Sequence, residues 1–144
     1  MGYTYYQLDV YIPKYNNVFS VDVAFEALTE RFSHPRYNAK LERVSTNNIE
    51  IHFGDWVYHI NLGGQPARFV EIPESIEEVK SKRSDWESIV TSDRIVICWG
   101  DNDLNMRYFN EYLFVVHVFE AIPDVYLYFP HIGTLWKSGE EPPI

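Results

Sequence analysis

Hydrophobic and polar residues alternate at the start of the chain. Tyr6, Leu8, Val10 and Ile12 fall on one side of an extended backbone, and Tyr5, Gln7, Asp9 and Tyr11 on the other. That period of two predicts a half-buried strand ending at Pro13. The period then changes: Val23, Ala24, Ala27, Leu28 and Phe32 recur at helical spacing behind Ser20, a residue type that caps helix N-termini. His34-Pro35 stops the helix, because the residue before a proline disfavours the α region.

Alternation returns in three runs, Leu41–Ser45, Ile49–Phe53 and Trp56–Leu62, separated by Asn47-Asn48 and Gly54-Asp55. With Gly54-Asp55 as a two-residue hairpin turn, Phe53 faces Trp56, Ile51 faces Tyr58 and Ile49 faces Ile60. Six apolar side chains then share one face, and Glu50, His52, Val57, His59 and Asn61 share the other. Gly63-Gly64-Gln65-Pro66 ends this meander. Arg68–Ile72 predicts a short edge strand, and Pro73-Glu74-Ser75 opens a helix to about Val90 that Ser84-Asp85 could divide in two.

The most apolar unit comes last. It reads as a strand over Arg94–Trp99, an acidic turn at Gly100–Asp103, a helix from Leu104 to about Ala121 and a strand over Asp124–Phe129. Thr134–Trp136 adds a short strand, and residues 137–144 read as a frayed tail. The pattern predicts one α+β domain over residues 1–144. Its sheet is mainly antiparallel, with about three helices packed on one face as a single layer pair.

Composition adds two constraints. The aromatic share is 17%, more than a core of this size must hide, which places some rings in a binding surface. The formal charge of −9 repels phosphate backbones and anionic lipid. It argues against nucleic acid and membrane as direct partners and for a basic protein. The N-terminal residues carry no signal-peptide pattern, and the apolar run Tyr112–Phe119 is too short to span a bilayer, so a cytoplasmic protein is expected. Cys98, the single cysteine, sits in an apolar strand as a small hydrophobe.

Three groups of residues could carry chemistry. Asp101 and Asp103 could hold a divalent metal through oxygen ligands, or Asn102 or Asp103 could cap the following helix. Glu50, His52 and His59 suffice for a catalytic zinc or an acid–base pair, or form an ordinary solvated sheet face. Asp55, Asp101, Asp103, Tyr108, Glu111 and Tyr112 combine acids with rings. A binder of a basic protein would use such a set, with charge speeding encounter and rings supplying burial. No nucleophile elbow or phosphate-cradling glycine loop is present in the sequence, and no cofactor is implied.

The block Phe109–Trp136, an apolar helix leading to a strand and then Tyr128-Phe129-Pro130-His131-Ile132-Gly133, resembles the ending of immunity-type proteins from bacterial polymorphic-toxin systems. There a Tyr/Asp-Pro-x-x-Gly turn follows the strand, and Phe129 stands here where an Asp is often found. The resemblance covers about the last third of the chain and carries over no functional residue. It implies a non-enzymatic inhibitor of a cognate toxin, which suits the acidity if that toxin is a basic nuclease. The alternative is a small metal-dependent hydrolase using the acidic turn or the Glu50, His52, His59 face.

Overall fold

The computed structural model describes residues 6–62, 73–92, 94–130 and 133–140. Among these, seven strands form one antiparallel sheet: β1 (Leu8–Ile12), β2 (Ala39–Arg43), β3 (Asn48–Phe53), β4 (Trp56–Asn61), β5 (Arg94–Gly100), β6 (Tyr126–Phe129) and β7 (Thr134–Lys137). Their spatial order is β2-β3-β4-β5-β1-β6-β7. The helices are α1 (Val21–Phe32), α2 (Pro73–Lys82), α3 (Trp86–Val90) and α4 (Phe109–Glu120). The domain is therefore α+β. The edge strand expected over 68–72 lies outside the described residues, as do His131 and Ile132 of the turn that carries the family resemblance.

The hairpin register read from alternation is the observed one, with Phe53 opposite Trp56, Ile51 opposite Tyr58 and Ile49 opposite Ile60. Gly54 takes φ 63° at the first turn position, where a side chain would be strained. Ser20 caps α1, its Oγ accepting the Val23 N–H at 3.0 Å.

Three expectations need correction. The helices do not all lie on one face. α1 and α4 cover one side of the sheet, where Leu28, Phe32, Val115, Val116 and Phe119 bury Ile49, Ile51, Tyr58, Val96 and Leu127. α2 and α3 lie on the opposite side, where Val79 and Ile89 pack with Tyr11, Ile95 and Tyr126. The reason is visible in β1, β5 and β6, whose second faces carry Tyr11, Ile95, Ile97, Tyr126 and Tyr128 and need a cover of their own. The segment after Pro73 also forms two helices, with the break at Ser84-Asp85, giving four helices where about three were expected.

The third correction concerns the last helix. It begins at Phe109 rather than Leu104, because Met106 adopts φ 54° and the chain wraps around the Asp103 carboxylate first. Of the tail, residues 137–140 are described, and Glu140 is anchored through its carboxylate. That carboxylate accepts from Arg83 at 3.0 and 2.9 Å and from the Lys137 N–H at 2.8 Å. Arg83 also grips Asp85, and it holds both Asp85 and Glu140 below the usual carboxylate range.

Asp9 is an outlier on the α2/α3 side of the sheet. Its Oδ1 is buried with no hydrogen-bond partner among the described residues, and burial pushes its carboxyl up to about 6.

Candidate functional site

The segment between β5 and α4 is the most distinctive surface feature. Asp103 is buried and acts as its anchor: Oδ1 accepts the Arg107 N–H at 3.0 Å, and Oδ2 accepts the Tyr108 N–H at 2.8 Å and the Tyr6 hydroxyl at 2.7 Å. Burial, and then the Asp103 carboxylate, drives the Tyr6 phenol well above its ordinary value, so the hydroxyl stays a donor. The Met106 N–H closes the turn onto the Asp103 carbonyl.

Two further braces fix this loop to the β3–β4 hairpin. Tyr108 stacks on Trp56 with ring centroids 5.1 Å apart, and its hydroxyl donates to Asp55 at 2.5 Å. That bond holds Asp55 below its ordinary range and raises the Tyr108 phenol. The Trp56 indole N–H donates to the Asp101 carbonyl at 2.8 Å.

The braced loop and the first residue of α4 carry three exposed apolar side chains: Leu104 at 77% exposure, Met106 at 59% and Phe109 at 37%. The described residues include seven exposed large hydrophobics, and these three fall within six residues of sequence. Such clustering marks an interaction site more than scattered surface residues do. Asp55 and Asp101 are exposed beside the loop, with Glu111 half-buried and Arg107 as the local cation. Burial raises the Glu111 carboxyl. A shallow depression of about 260 Å³ adjoins the loop, lined by Tyr37, Phe53, Tyr108, Glu111 and Phe114 among others.

Of the six residues expected at a partner surface, the structure thus brings Asp55, Asp101, Tyr108 and Glu111 to the outside. Asp103 is spent on holding the loop, and Tyr112 is buried in the core, where it stacks on Tyr6 and donates to the Gln7 carbonyl at 3.2 Å. Neither can meet a partner. Asp101 and Asp103 do not converge on a common metal position, since Asp103 is committed to backbone amides and Asp101 to His59. Sequence reasoning missed Leu104, Met106 and Phe109, which looked like the first turn of a core helix.

The second constellation lies on the other side of the same hairpin. Glu50 faces His59 directly across β3 and β4. Its carboxylate sits between two imidazoles, with Oε1 at 3.1 Å from His52 Nε2 and Oε2 at 3.7 Å from His59 Nδ1. His59 Nε2 lies 2.9 Å from Asp101 Oδ1, and its ring stacks on Trp99 at 5.2 Å. Glu42, from β2, completes the group at 3.6 Å from His52 Nε2. Among the described residues no helix covers this corner of the sheet.

No protein-family model, curated protein or solved structure matches this chain. Among the described residues no helix is long and apolar enough to cross a membrane.

Proposed function

We propose that this protein is a non-enzymatic inhibitor that binds a basic partner protein, with the Asp101–Glu111 loop and the Asp55 hairpin as its docking surface. The observation that carries the proposal is the exposure of Leu104, Met106 and Phe109 on a loop locked from below by Asp103, with acids beside it. Apolar anchors on a pre-organised loop lose little conformational freedom on docking. The acids Asp55, Asp101 and Glu111, within a chain of net charge −9, favour a partner of opposite sign. The resemblance of residues 109–136 to immunity-type proteins supports a toxin as that partner, and the acidity supports a basic nuclease among toxins.

The experiment compares the wild-type chain with a Leu104→Asp, Met106→Asp double variant as baits in extracts of the source organism. Any captured protein is then purified and titrated by calorimetry at several salt concentrations. The proposal expects a single stoichiometric, basic partner whose activity is blocked on binding. Its affinity should fall with rising salt and drop about thirtyfold or more in the double variant, matching a hot-spot loss of ~2 kcal/mol. Equal capture by the variant, an acidic partner or a salt-independent affinity would each overturn it. Both substituted side chains are exposed, so the variant should fold.

A further inference from the structure

We propose that the uncovered corner of the sheet binds a divalent cation of the zinc class through His52, Glu50 and Glu42, with His59 and Asp101 as the supporting layer. The first argument is spacing. His52 Nε2 stands 3.1 Å from a Glu50 oxygen and 3.6 Å from a Glu42 oxygen, and one ligand atom from each of the three residues lies within 4.8 Å of the others. Tetrahedral zinc with bonds of about 2.0–2.1 Å needs ligand atoms roughly 3.3 Å apart. The two His52 distances straddle that value, and Glu42, on an exposed side chain, can turn to close the third. Three protein ligands leave a fourth position open to water or to an incoming group.

The second argument is charge. Glu42 and Glu50 stand directly opposite each other on β2 and β3, a like-charge cross-strand pair that destabilises a sheet. Among the described residues, no lysine or arginine pairs with either carboxylate. Lys40, opposite His52 in the register, is exposed and reaches neither. A bound dication would convert the repulsion into attraction.

The third argument is the layer behind the ligands. The second oxygen of Glu50 faces His59 Nδ1, and His59 is itself oriented by Asp101 at 2.9 Å and by stacking on Trp99. Carboxylate–imidazole chains of this kind can orient ligating groups. The imidazole ligand selects zinc or nickel over magnesium and calcium, which prefer all-oxygen sets. The three ligands lie on the opposite side of the hairpin from the Leu104 loop; Asp101 alone is shared with the docking surface, and Glu42→Gln, outside that surface, tests the metal site independently.

The test is calorimetric titration of the metal-free chain with zinc, nickel, magnesium and calcium, paired with thermal melting. The proposal expects one zinc per chain, a rise in melting temperature with zinc and none with calcium or magnesium. His52→Ala and Glu42→Gln should remove the effect, and Asp101→Asn should weaken affinity by about 10- to 100-fold. His34→Ala, at an exposed histidine outside the cluster, should leave it intact. Glu42 is exposed, so its variant reports binding even if His52→Ala folds poorly. No zinc response, zinc binding retained in Glu42→Gln, or an equal response to calcium would each overturn the assignment.

Discussion

On one face of the β3–β4 hairpin, Ile49, Ile51, Phe53, Trp56, Tyr58 and Ile60 are buried beneath α1 and α4. On the other, Glu50, His52, Val57, His59 and Asn61 are half-exposed. The two sets are interleaved in sequence, one residue apart, and the pleat separates them. The first set makes the hairpin stable and offers no chemistry. The second offers carboxylates and imidazoles at the cost of leaving that corner without a hydrophobic cover. The same division separates Asp101 from Asp103: one is exposed and set beside His59, the other is consumed in holding the loop.

Substitutions on the two faces should differ accordingly. Trp56→Ala removes a ring packed against Tyr6, Phe53, Tyr58 and Tyr108, and it should cost about 3–5 kcal/mol in urea unfolding. A cost below about 1 kcal/mol would mean that the covered face does not hold the hairpin.

Asp9→Asn tests the covered part of the opposite face. Because burial raises the Asp9 carboxyl to about 6 from 3.8, the folded protein binds that proton more tightly than the unfolded chain. Stability from this group therefore rises as pH falls from about 6 towards 3.8, and is lost as pH rises through 6. Asp9→Asn should stabilise the protein at pH 7 by on the order of 2 kcal/mol and flatten the slope between pH 4 and about 6. Asp55, Asp85 and Glu140, held below their ordinary range, contribute in the other direction at lower pH. An unchanged slope in the variant would show that Asp9 is not the group responsible.

Asp103→Ala should cost about 1.5 kcal/mol by leaving the Arg107 and Tyr108 amides without their acceptor. It should also raise hydrogen-exchange rates over residues 104–108, whereas Asp101→Ala should leave those rates unchanged. The smallest effect is expected on the open corner: in metal-free protein, Glu42→Gln should shift stability by less than about 0.5 kcal/mol. A larger stabilisation would give the direct measure of the Glu42–Glu50 repulsion.

Much of this arrangement is legible in the chain because it is local. Strict alternation around Gly54-Asp55 sets the hairpin register and the pairing of Glu50 with His59. Ser20 and Pro35 bound α1. What was not legible depends on long-range partners. Glu42 escaped notice because the β2 strand runs Ala39–Arg43, two residues earlier than its apolar pattern suggests, and only pairing with β3 sets Glu42 beside Glu50. Tyr112 looked like a surface ring, although its spacing with Val115, Val116 and Phe119 places it on the buried stripe of α4. The start of α4 was misplaced because Leu104 and Tyr108 keep helical spacing, while the Asp103 side chain captures the amides ahead of Phe109 and diverts the backbone.

The position of β1 has a consequence for how the molecule is made. Residues 8–12 leave the ribosome well before their sheet neighbours, residues 94–98 and 126–128. While β2, β3 and β4 can zip together as they leave the ribosome, β1, an interior strand, must wait for both partners to emerge. The nascent chain therefore carries an apolar, unpaired strand until those partners emerge. Its productive folding should be most sensitive to chaperone supply and to translation speed across residues 94–129.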